Sequence, residues 1–177
     1  VRASLVKGIL GRRRAPFMGW SRVLTASVVA VLIWLSGCSS TAPVTSDGDL
    51  LRALHEKVIH AHRQNNVDLL LEDEAADYVV AGRGEVTRPS LDERRQRLGE
   101  YFRAATFEEY RDIADPVITV SSDGTLGWVI VQVHARGVRA GEGGRKEALD
   151  FVSAWIELYQ KRDGRWWRVG NVSNFRS

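Results

Sequence analysis

The stretch "VSAWIELYQKRDGRWWRVGNVSNF", residues 152–175, decides the fold. From Leu149 to Leu158 its period is two, which suits a strand and not a helix. Leu149, Phe151, Trp155 and Tyr159 fall on one face, and Val152, Ala154, Ile156 and Leu158 on the other. Asp163-Gly164 then turns the chain into "RWWRVGNVSNF", a second strand, so the segment reads as a long hairpin. Upstream, "PVITV" (116–120) and "LGWVIVQVHARG" (126–137) flank the turn signal Ser122-Asp123-Gly124. "GVRAGEGGRK" (137–146) reads as a long hairpin tip before the aromatic strand. Apolar groups on both faces of these strands imply two partners: helices on one side and a second subunit on the other.

The preceding half reads as helical. Leu51, Leu54, Val58, Ala61 and His62 recur at spacings of three and four between residues 50 and 64, with Ser46, Asp47 or Asp49 as alternative caps. Asn66 caps a second helix, "VDLLLEDEA", and "DYVVAGRGEVTR" (77–88) follows as a short strand and turn. Ser90-Leu91-Asp92-Glu93 is a capping-box pattern opening a third helix, which turns Leu91, Leu98, Tyr101 and Phe102 inward. Three helices followed by an antiparallel sheet make an α+β domain.

The element order, the length and the 152–175 stretch resemble the NTF2-like superfamily, in its SnoaL-like/DUF4440-type branch. Members often end in an aromatic strand, a Lys/Arg-Asp-Gly turn, Arg-Trp and a last strand closing with Ser, which here runs from Trp155 to Ser173. The resemblance covers about residues 50–175. It implies a cystatin-like cone, with three N-terminal helices packed on a curved antiparallel sheet and a pocket at the wide end. Such a pocket suits a small apolar or aromatic ligand held by a few polar groups. The family includes ketosteroid isomerases and polyketide cyclases, which use a carboxylate to remove a carbon-bound proton and a donor to hold the enolate. The isomerase base sits in a pattern like Ala-Asp-Asp-Ala-Thr-Val-x-Asp-Pro. "EDEAADYVV" (72–80) places Val79 at that aspartate, and no Pro follows. Asp77 and Tyr78 are the nearest polar substitutes, and Asp77 also reads as an exposed helix-end acid.

Asp150, in an otherwise apolar strand, is the other candidate acid or base: burial would raise its pKa. The competing reading is a solvent-facing or Arg-paired residue. The catalytic candidates are thus Asp150 and Tyr78, and the candidate pocket residues are Tyr78, Tyr101, Trp128, Asp150, Trp155 and Asn171. Asn171 and Asn174 read either as donors at the pocket mouth or as partners of neighbouring backbone. The four histidines, His55, His60, His62 and His134, lack zinc-site spacing. No metal or cofactor is expected, and no P-loop, dinucleotide or Gly-x-Ser-x-Gly motif occurs in the sequence.

The chain's address is written at its other end. Six of the 25 basic residues and none of the 22 acidic ones lie in residues 1–37, so the remainder carries a net charge of −3. The basic pI of 9.3 belongs to this leader and is no argument for nucleic-acid binding. "VLTASVVAVLIWL" (23–35) has 13 apolar or small residues. As a helix it would rise about 20 Å, short of a hydrocarbon core of about 30 Å, which suits a signal h-region. Leu35-Ser36-Gly37-Cys38 follows and resembles the lipobox of bacterial lipoproteins. That resemblance implies cleavage before Cys38, a diacylglycerol thioether on its sulfur and a further acyl chain on its amine. Two or more chains anchor stably, at about 0.8 kcal/mol per buried CH₂. The absence of Asp after Cys38 favours the outer membrane facing the periplasm, if the cell is Gram-negative. Either Val1 or Met18 serves as the start of such a signal. Arg12-Arg13-Arg14 hints at a twin-arginine signal, but Phe17 stands one place too late.

The expected organisation is a signal peptide over 1–37, a lipidated Cys38 with a flexible tether over 38–49, and one domain over 50–177. Three functions remain in play: binding of a small molecule or protein partner, proton transfer of the isomerase type, and a dimeric envelope scaffold joined through the open sheet face. Cys38→Ser is expected to release the protein from the membrane fraction, and unchanged detergent partitioning of that variant would contradict the anchor.

Overall fold

A computed structural model describes residues 45–176. The expected signal peptide and lipobox, with Cys38, lie outside the described residues. Helix α1 (Asp47–Arg63) starts three residues ahead of the apolar periodicity because Ser46 closes a full capping box with Asp49. Asn66 caps α2 (Val67–Leu71) through a bond from the Leu69 amide. That helix is shorter than its sequence pattern. Arg168 Nη2 takes the Leu70 carbonyl at 2.7 Å, and the Arg168 amide takes the Asp73 carbonyl at 2.7 Å. These bonds draw the chain into the sheet, and Glu74 begins β1 (Glu74–Gly82) instead of ending a helix. A turn with positive φ at Arg83 and Gly84 leads to β2 (Glu85–Thr87). Helix α3 (Leu91–Ala104) then opens on the Ser90–Glu93 capping box.

The rest is strand: β3 (Ala105–Asp112), β4 (Val117–Val120), β5 (Leu126–Ala140), β6 (Lys146–Arg162) and β7 (Arg165–Arg176). The sheet runs β2-β1-β7-β6-β5-β3, and β4 also pairs with β5. One expectation needs correction here: the sheet is mixed and not antiparallel, because β1 lies parallel to β7. The short strand and turn read at 77–88 form as β1 and β2 between α2 and α3, with β1 starting earlier, at Glu74. A short parallel strand is hard to distinguish from a helix end in sequence, since its partner is about ninety residues away in the chain.

Strand β3 carries no apolar alternation that would flag it. It is an edge strand, and only Ala105 and Tyr110 are buried. The expected long tip at 137–146 is also shorter, since β5 and β6 stay paired from Gly137↔Leu149 to Ala140↔Lys146. A side chain at Gly137 would run into the Thr106 carbonyl of β3, so this glycine permits close approach of two strands and is not a loop signal. The Asp163-Gly164 turn forms as read, with φ of 51° and 77°.

Bulges between Phe107 and Glu109, and between Leu158 and Tyr159, bend the sheet around the helices. On the concave face, Val129, Val131 and Val133 of β5, Trp155 and Tyr159 of β6 and Trp166 of β7 meet Leu51 and Ile59 of α1. A second cluster, Val58, Ala61, Leu70 and Phe102, joins the three helices.

Candidate functional site

The concave face also carries charge. Strict alternation along β6 sends Ser153, Trp155, Glu157 and Tyr159 inward together. Glu157 is 1 % exposed. It accepts from His55 Nδ1 at 3.1 Å, Trp155 Nε1 at 2.9 Å and Tyr159 Oη at 2.6 Å. The other nitrogen of His55, Nε2, faces Asp112 at 3.1 Å. Carboxylates on both ring nitrogens require both to be protonated. Burial alone would lower the His55 pKa, but its bonds to Asp112 and Glu157 prevail and raise it to about 9. Burial in turn would raise Glu157, yet the His55 bond and charge hold it down at about 2. Glu157 is therefore a fixed anion and a poor proton acceptor.

A second buried group lies deeper toward β1. Glu74 receives Nε and Nη2 of Arg94 at 2.5 and 2.6 Å, and Nη2 of Arg168 at 2.7 Å. Tyr78 lies under the Arg94 guanidinium, whose carbon is 4.0 Å from the ring centre. Burial pushes the Tyr78 hydroxyl up to about 12.

Between the two groups is a cavity of about 240 Å³. Tyr78, Tyr101, Tyr110 and Trp155 wall it with Val58, Leu70 and Leu98, while Glu74, Arg94, Glu157 and Arg168 bring charge to it. His62 also lines it, stacked on Tyr110 at 4.3 Å. Its Nδ1 donates to the Val58 carbonyl at 2.8 Å, and burial lowers its pKa to about 4, so the ring is neutral and Nε2 is an acceptor. The Nε of Arg168 is buried without a hydrogen-bond partner among the described residues.

No protein-family model matches this chain, and no curated protein sequence is significantly similar to it. Solved structures do match. An NTF2-like protein from Cytophaga hutchinsonii superposes with a TM-score of 0.58 at 16 % identity, over 73 % of this chain and 98 % of that one. A ketosteroid isomerase-like protein from Erwinia carotovora gives 0.58 at 14 % identity, over 76 % and 99 %. A protein with a cystatin-like fold from Caulobacter vibrioides gives 0.58 at 14 % identity, over 75 % and 92 %. The fold is NTF2-like. At these identities the likeness speaks to the fold, and the site must be argued from its own residues.

Inside this NTF2-like cone the structure brings Tyr78, Tyr101, Trp155 and Asn171 to one cavity. Two expected pocket residues lie elsewhere. Leu149 and Phe151 point inward, so Asp150 between them points out; its side chain is 64 % exposed and accepts from His134 Nε2 at 2.8 Å. Trp128 sits between buried Gly127 and Val129 and faces outward opposite Leu158. Asp77 is exposed and paired with Arg162 at 2.9 and 3.0 Å, Val79 is a half-buried strand residue, and Asn174 is exposed while its carbonyl accepts from Ser153. The sequence reading missed Glu157 and Arg168. The signal was available: each sits in phase with inward aromatic residues, Trp155 and Tyr159 for one and Trp166 for the other.

The two buried histidines of α1, His55 and His62, titrate in opposite senses. A His55 raised to about 9 stabilises the fold fully below pH 6.5, and that contribution, on the order of 3 kcal/mol, fades as pH rises through 9. A His62 lowered to about 4 leaves stability intact above pH 6.5 and erodes it as pH falls toward 4. Urea unfolding from pH 5 to 10 should give a maximum near pH 6.5, with an alkaline limb that flattens in His55→Gln and an acid limb that persists. An alkaline limb of unchanged slope in that variant would show that His55 is not charged in the folded protein.

Proposed function

We propose that this chain is an envelope lipoprotein whose SnoaL-like domain binds a small apolar or aromatic molecule, or a segment of a protein partner, inside the cone. The observation that carries this reading is the cavity itself: aromatic walls, a neutral imidazole and buried, mutually paired charges line one space. Proton transfer of the isomerase type finds less support. Its candidate Asp150 faces solvent, and the two carboxylates that do reach the cavity are held by three strong donors each.

The outer sheet face favours a second, compatible reading, a homodimer. Val117, Ile130, Ile156 and Val172 pair across four strands in one row. Val117 is 57 % exposed and Val172 45 %. Leu158 and Trp128 extend the row into an apolar patch of the kind that marks an interface.

Native mass spectrometry of the gently purified full-length chain should show a small-molecule adduct. Leu98→Trp, which fills the cavity, should abolish it. A chain that emerges bare and stays bare after incubation with small aromatic compounds would remove the reading. For the dimer, Ile130→Glu should yield a monomer by light scattering, and a wild-type chain monomeric at high concentration would exclude it.

A further inference from the structure

Resting on the reading that the cavity holds a small molecule, we infer that the molecule is a neutral hydroxylated aromatic, a phenol-type guest whose O–H donates to Nε2 of His62 and whose ring lies among the aromatic walls. Helix α1 sets the imidazole for this. Nδ1 of His62 lies 2.8 Å from the Val58 carbonyl one turn back, and a carbonyl can only accept, so Nδ1 carries the proton and Nε2 is the acceptor. The ring is fixed flat on Tyr110, with 4.3 Å between centres, and edge-on to Phe102 at 5.4 Å. Among the described residues only Asn65 Oδ1 and Arg168 Nε are both sealed and unpaired. Nε2 of His62 has no partner there either, so it keeps accessible surface, and half-buried His62 lines the cavity. The hydroxyls of Tyr78, Tyr101 and Tyr110 are alike: they belong to the cavity wall, keep accessible surface and have no partner among the described residues.

Charge excludes an ionic guest. Arg94 and Arg168 close on Glu74, and protonated His55 lies between Glu157 and Asp112, so the three cations meet three anions. Arg97, the other charged residue of the lining, is exposed. An ion would enter at a desolvation cost with no free counter-charge inside. A hydroxyl is matched instead: it donates to the imidazole nitrogen and accepts from a tyrosine O–H. A purely apolar guest would fill the same space and leave those groups dry and unpaired, which is unfavourable. Size sets the rest. An apolar cavity of about 150 Å³ accepts benzene, so about 240 Å³ holds one ring with a short substituent.

Calorimetric titration of the full-length chain with p-cresol, p-xylene and p-toluate tests this, because the three differ only in the group opposite the methyl. The p-cresol should bind about tenfold more tightly than p-xylene, and p-toluate should bind more weakly than p-cresol. His62→Phe keeps a flat ring on Tyr110 and removes Nε2, so it should erase the preference for p-cresol while p-xylene still binds. Should that variant misfold, Leu98→Trp carries the test, since filling the cavity should abolish p-cresol binding. Equal affinity for p-cresol and p-xylene, or a preference for p-xylene, would leave the cavity reading standing and overturn the hydroxyl. A preference that survives in His62→Phe would overturn the bond to His62, and p-toluate binding as tightly as p-cresol would overturn the neutral guest. Binding of p-cresol unchanged in Leu98→Trp would place it outside the cavity and overturn the proposal. No binding of any of these probes at millimolar concentration would overturn both readings.

Discussion

Glu74 is the constraint on which the rest of this cone depends. Its carboxylate is 1 % exposed, and three guanidinium N–H groups from two separate elements close on it. A buried carboxylate with only one such partner would carry a large desolvation cost. With both partners, α3 and β7 are drawn to the first residue of β1, and the short parallel pairing of β1 with β7 follows. The same grip aims Arg168. The charged wall of the cavity on the β1 side is a consequence of how one acid is neutralised. Removing Glu74 would leave the buried Arg94 and Arg168 charges uncompensated, a change that typically costs about 3–5 kcal/mol.

The second network, Glu157 with His55, Trp155 and Tyr159, works differently. It joins β6 to α1, and through Asp112 to β3, so it closes the cone at a different place. It also orients Trp155 by its indole N–H. Together the two networks make a cavity whose acids are already satisfied. What remains available to a guest is aromatic surface and a neutral imidazole. That inventory describes a binding site better than a proton-transfer site, because a carboxylate held near pKa 2 has little affinity for a proton.

Sequence pattern carried the architecture far but treated charge poorly. The β6–β7 hairpin, the Ser46 and Ser90 caps and the Asn66 cap are local, set by side chains within three residues of the backbone they bond, and a linear reading finds them. Asp150 shows the opposite failure. An acid in an apolar strand drew attention as chemistry, although the alternation of Leu149, Phe151 and Trp155 already placed it outside. Glu157, in the same strand and in phase with the aromatics, is the acid that enters the core.

From the sequence alone, then, come the strand periodicities, the turns, the caps and hence an α+β domain, because these depend on neighbours a few residues apart; the cone entered only as what the family resemblance implies. The pairing of Glu74 with Arg94 and Arg168 was settled only in three dimensions. Those residues lie 20 and 94 positions apart, on a strand, a helix and another strand; strand phase marks Arg168 as inward, but nothing local says which acid it meets or distinguishes Glu74 and Arg94 from the many exposed Glu and Arg residues of this chain. Burial decides which charges matter, and burial is a property of the assembled sheet and helices.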